Sequence, residues 1–120
     1  MPVTPAEFAA IAEEFQRRSH EIMLSKRLEY SPHEGDVLQN FRQVAGFLGC
    51  APSEVAIMYA MKHLQSLLEA SRSGSFVWEF FKPDGAEGLK SRISDLYNYT
   101  LLLAACLADE ADAVPSPIQG

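Results

Sequence analysis

Asp95 and Asn98 stand one helical turn apart, and Ser91 and Glu87 continue the same row toward the N-terminus. Side chains spaced three or four residues apart share one face of a helix. The row therefore offers two carboxylates, a hydroxyl and an amide to a single ligand. Oxygen donors of this kind suit a hard cation such as magnesium, which prefers oxygen and travels with phosphate. The plainer alternative is a solvated polar face on which Glu87 acts as a local cap. A second polar group borders a turn and comprises Glu29, Tyr30, Asp36 and the pair Asn40-Phe41. As a pocket wall, Glu29 and Asp36 would bring charge to a metal, Asn40 would hydrogen-bond, and Tyr30 or Phe41 would stack on a base. As ordinary structure, Phe41 is core, Asp36 a cap and Glu29 an exposed acid. Two cations complete the candidates. Lys62 continues a second face of its helix, where it either snorkels to water or meets an anion. Arg92 falls at the edge of an apolar stripe, where it needs a carboxylate or a phosphate.

Other chemistries lack their signatures. There is no P-loop, no dinucleotide-binding glycine fingerprint, no nucleophile elbow and no serine or cysteine triad pattern. His20, His33 and His63 show no zinc spacing. Cys50 and Cys106 make no disulfide framework and read as small reduced core residues, which points weakly to a reducing compartment. The net charge of −6 argues against a nucleic-acid backbone as partner, because that needs a basic surface. The opening MPVTPAEF has no basic region followed by an apolar run, so no signal peptide is expected. The longest apolar run, 101–108, is too short to span a bilayer. The expectation is a soluble cytoplasmic protein that binds neither nucleic acid nor membrane.

Four helices would have to position these residues. Thr4-Pro5-Ala6-Glu7 is a capping box with proline at the first helical position. Phe8, Ile11, Phe15 and Ile22 then recur at helical spacing, interrupted by Arg18, out to about Glu29. Tyr30-Ser31-Pro32-His33-Glu34-Gly35 ends the helix. Asp36 is the expected N-cap of a second helix with the stripe Val37, Phe41, Val44 and Leu48, stopped by Gly49. Pro52 starts a third, on which Ile57, Met61, Leu64 and Leu68 face one way and Val55, Met58 and Tyr59 broaden the apolar surface. It stops at Ser73-Gly74. The segment 75–81, SFVWEFF, reads as a short strand or ordered loop: an aromatic plug, or else a lid over a base. The last helix, over 87–108, carries a stripe of Leu89, Ile93, Leu96, Thr100, Leu103 and Leu107. Opposite lies the polar row, which turns apolar beyond Asn98 with Leu102, Ala105 and Cys106. A helix apolar on both sides is covered on both sides, one by its own domain and one by something else.

The chain is long enough for one core. The predicted architecture is an all-α four-helix bundle over residues 1–113 with a flexible tail over 114–120.

Taken in order, Glu29-Tyr30, Asn40-Phe41, EVAIMYAMKHLQ around Lys62 and Asp95-Leu96-Tyr97-Asn98-Tyr99 resemble small phage proteins associated with nucleotide modification. These in turn are similar to the MazG-like all-α nucleoside triphosphate pyrophosphohydrolases. The resemblance runs from about Lys26 to Leu107. It implies a helical bundle assembled as a homo-oligomer, dimer or tetramer, with a nucleotide pocket between helices and acidic residues that bind magnesium. On this resemblance the nucleotide-binding set is Glu29, Tyr30, Asn40, Lys62, Arg92, Asp95, Asn98 and Tyr99. The metal set is Glu29, Asp36, Glu87 and Asp95. The chain departs from the active pattern, an E-E-x-x-E run followed by E-x-x-D. Arg17 follows Glu13-Glu14 where a third glutamate would stand, Ser91 replaces a frequent carboxylate, and Asn98 replaces the last acid. Fewer carboxylates leave less charge to hold magnesium and no evident general base for water. The resulting expectation is a phage-type protein, in the cytoplasm of a bacterial host, that sequesters a nucleotide or nucleotide signal. The alternatives are a magnesium-dependent pyrophosphohydrolase and a helical interaction module without a small ligand.

Overall fold

The computed structural model describes residues 1–30 and 35–117, and the side chains of all of these except 24–30. Among them are α1 (Pro5–Tyr30), α2 (Gln39–Leu48), α3 (Pro52–Ser73) and α4 (Leu89–Glu110). The protein is all-helical: α4 packs against α1 and α3, α3 packs against α2, and side chains of α2 also reach α4.

The helix boundaries follow local chemistry. The Thr4 N–H donates to Glu7 Oε1 at 3.0 Å and the Glu7 N–H to Thr4 Oγ1 at 3.1 Å, so the capping box forms as read. α3 begins on Pro52. Gly49 (φ 70°) and Gly74 (φ 67°) end α2 and α3 in the left-handed region, their N–H groups bonded to Ala45 O and Ala70 O. Asp36 is not the N-cap of α2. Leu38 holds that place, and Asp36 sits two residues earlier, its Oδ1 accepting the Leu38 N–H at 3.0 Å.

Residues 74–88 form an ordered loop rather than a strand, with an isolated bridge between Phe81 and Glu87. This loop caps α4 with backbone instead of a side chain. The Leu89 N–H donates to Val77 O at 2.9 Å and the Lys90 N–H to Trp78 O at 3.1 Å. Two donors left over at a helix start are satisfied in this way. Gly88, the N-cap, has to be glycine because a Cβ there would collide with the Glu79 carbonyl oxygen. Lys90 then ties three parts together. Its Nζ lies 2.7 Å from Glu14 on α1 and 3.6 Å from Glu79, and over the rings of Trp78 and Phe80. Trp78 and Phe80 of the aromatic segment thus lie against α1 and α4, with Phe15 edge-on to Trp78 at 6.0 Å, while Phe76, Trp78 and Phe81 stay partly open to solvent.

The core joins Leu38, Phe41 and Ala45 to Val55 and Ala56 of α3 and to Leu102 and Cys106 of α4. Its composition corrects the expected stripes. On α4 the buried residues are Ser91, Asn98, Leu102 and Cys106, all from the row opposite the expected stripe, together with Ser94. Of the expected stripe, Leu89, Ile93, Leu96 and Leu103 are half-buried, while Thr100 and Leu107 are exposed. On α3 the expected stripe of Ile57, Met61, Leu64 and Leu68 is exposed throughout, and the helix buries Ser53, Val55 and Ala56 instead. Phe15 of α1 and Phe41 of α2 are buried as expected, but Phe8, Ile11, Val37 and Leu48 are exposed. α3 and α4 share the core through Val55 and Ala56 on one and Leu102 and Cys106 on the other. Periodicity identifies an apolar face, but not what covers it.

Candidate functional site

The inner row of α4 is polar in its first half, and its members differ in how they are satisfied. Ser94 is fully buried and returns its hydroxyl to Lys90 O at 2.8 Å, one turn back. Ser91 donates to Glu87 Oε1 at 3.3 Å. Asn98 has no such outlet. It is 4 % exposed, and neither its amide nitrogen nor its amide oxygen has a hydrogen-bond partner. An amide carries two donors and an acceptor, and each buried group left unmade costs about 1–3 kcal/mol. On α1, which packs against α4, the Ser19 hydroxyl is likewise buried and unpartnered.

The next residue along α4, Tyr99, joins an aromatic cluster drawn from three helices. Tyr99 meets Phe41 of α2 at 6.4 Å, and Tyr59 and His63 of α3 at 5.9 and 5.2 Å between ring centres. Phe41 and Tyr59 touch as well, at 5.8 Å. Tyr59 and His63 lie one turn apart on α3, a pairing readable in sequence and passed over because neither residue belongs to a metal or catalytic pattern.

The other expected site residues divide among separate places. Asp95 is half-buried one turn before Asn98, and Asn40 is half-buried on the first turn of α2. The side chains of Glu29 and Tyr30 lie outside the described residues. Lys62 is exposed on the solvent side of α3, although His63 beside it faces Tyr99. Arg92 lines a cavity of about 280 Å³ between the end of α3 and the start of α4, together with Glu69, Lys82 and Glu87. Asp36 belongs to a third place. Arg42 Nε lies 2.7 Å from Asp36 and its Nη1 3.0 Å from Asp109, near the end of α4. The hydrogen bond from Arg42 holds the Asp36 carboxyl below its ordinary value, and the two carboxylates raise the guanidinium pKa. Glu87 precedes the first residue of α4. The helix between it and Asp109 is about 30 Å long, so Asp36 and Glu87 do not meet on one metal ion. Among the described residues no three His, Cys, Asp or Glu side chains gather into a metal site. The two thiols are free, and burial pushes the pKa of Cys106 up, as expected of an inert core residue. Among the described residues no single helix is long and apolar enough to cross a membrane.

No protein-family model, curated protein or solved structure matches the chain.

Proposed function

We propose that this chain binds a nucleotide at the buried amide of Asn98 and holds it without cleaving it. The observation that carries this reading is the amide itself, out of water with neither end bonded. A base edge presents neighbouring donors and acceptors that complement an amide. The cluster of Tyr99, Tyr59, His63 and Phe41, which begins at the next residue of α4, would supply aromatic surface for the ring. The helices covering Asn98 must part to admit a ligand, so association is slower than the usual diffusive range. The resemblance to phage proteins adds the setting: a sequestering protein in the cytoplasm of a bacterial host. Asp95 is the carboxylate nearest to Asn98 in the chain. Magnesium would arrive on the nucleotide's phosphates rather than wait in a ring of side chains, since Asp36 and Glu87 stand at opposite ends of α4.

The test is calorimetry against a panel of linear and cyclic nucleotides with magnesium, followed by mass spectrometry of the recovered ligand. Binding with the nucleotide returned unchanged supports the proposal. Pyrophosphate released at catalytic rates favours the hydrolase reading instead, and absence of heat with every nucleotide favours an interaction module. That last reading draws on the exposed apolar stripe of α3.

A further inference from the structure

α3 leaves a row of large apolar side chains in water. It covers Val55 and Ala56 completely and half-covers Tyr59, Ala60, His63 and Leu67, while on its other side Ile57, Met61, Leu64 and Leu68 are 44, 59, 51 and 48 % exposed. These four form a continuous row along roughly 17 Å of helix. A row of large apolar side chains left in water forgoes the hydrophobic stabilisation that covering it would give. The whole molecule shows the same surplus. Its surface is 8632 Å², whereas a folded monomer of 13.3 kDa is expected to expose about 6,500 Å². Its radius of gyration is 16.3 Å, against about 14 Å for a compact chain of this length. The exposed tail beyond α4 accounts for part of the excess, but a standard interface needs only about 800 Å² from each partner.

We propose that the exposed stripe of α3 is the centre of a two-fold interface with a second copy of this chain, the two α3 helices running antiparallel. The spacing commits the stripe to that partner. Steps of four, three and four residues read the same in either direction. An antiparallel copy therefore sets Ile57 against Leu68 of the partner subunit and Met61 against Leu64 of the partner subunit. Charge agrees with that register. Glu54 and Arg72 are five helical turns apart, so they lie on one flank of the stripe, at opposite ends and with opposite signs. An antiparallel pair brings Glu54 beside Arg72 of the partner subunit, twice by symmetry. A parallel pair would place both copies of Glu54 at one end and both of Arg72 at the other, with no pairing of opposite charges.

Sedimentation velocity of the full chain across a concentration series, at low salt and with native mass spectrometry alongside, tests this. The wild type is expected at twice the monomer mass of 13.3 kDa. Met61→Glu/Leu64→Glu should raise the dissociation constant about 100-fold or more. Both sites are exposed, so its helical circular dichroism should match the wild type. Glu54→Arg and Arg72→Glu should each weaken the dimer about fivefold, and the double exchange Glu54→Arg/Arg72→Glu should restore it. A wild type that stays monomeric, or a dimer indifferent to Met61→Glu/Leu64→Glu, overturns the interface. A dimer broken by that pair but indifferent to the charge exchanges overturns the antiparallel register.

Discussion

Asn98 is an expensive residue to bury. A leucine of similar size would fill its space without an unmade hydrogen bond, and removing an unsatisfied polar group in favour of an apolar one of like shape is neutral or stabilising. Asn98→Leu is therefore expected to raise stability by about 1 kcal/mol in urea unfolding while abolishing nucleotide binding in calorimetry. A variant that loses stability would show the amide to be satisfied in solution and would remove the main support for a ligand there. Asp36 presents the opposite case, a charge already partnered. Its carboxyl pKa lies below the ordinary value, chiefly because Arg42 bonds it. A depressed folded pKa contributes stability above the ordinary carboxylate pKa, and that contribution is lost as pH falls through the depressed one. Both side chains are about two-fifths exposed, so the contribution is about 1 kcal/mol or less. Asp36→Asn keeps the oxygen that accepts the Leu38 N–H. It should unfold at slightly lower urea than wild type near pH 7, with the gap closed near pH 2; a gap of constant size would contradict the ion pair as its source.

At the scale of the element, α4 depends on what precedes it. Its first N–H groups are bonded by carbonyls of the 74–88 loop, and that contact requires the loop to lie against the backbone of Gly88. Gly88→Ala would force the loop away from the helix start. A loss of about 2 kcal/mol or more in unfolding free energy is expected, with Trp78 fluorescence changing as its contact with Phe15 loosens. An unchanged midpoint would mean that the loop moves without cost. The glycine is visible in sequence, but the need for it is not. It stands three residues beyond the Pro83-Asp84-Gly85 turn, and only the fold shows that Glu79 crosses over it.

For the whole molecule, the core is narrow and α2 reaches it mainly through Leu38, Phe41 and Ala45. Phe41→Ala removes the largest fully buried side chain and should cost about 3–5 kcal/mol, a large share of the roughly 5–15 kcal/mol that holds a domain together. If the α3 interface forms, the thermal midpoint of the wild type will also rise with protein concentration, since association stabilises the folded state by mass action. A midpoint independent of concentration is expected only of Met61→Glu/Leu64→Glu.

Local rules were enough to read the capping box at Thr4, the stops at Gly49 and Gly74, the start at Pro52 and the all-helical class, because each depends on residues within one turn of chain. The polar row of α4 was equally legible as a row. Its direction was not. Helical periodicity reports that two faces exist, and a stripe of leucines resembles a core whether its own chain or another covers it. Only the tertiary structure decided that Ser91, Ser94 and Asn98 face inward and that Ile57, Met61, Leu64 and Leu68 face out. What decides is which face of each helix the neighbouring helices cover, and that depends on all the packed helices at once. The same applies to the candidate site. Sequence placed Asp95 and Asn98 together one turn apart, whereas Asp36, Lys62 and Arg92 were dispersed by the packing of the helices that carry them.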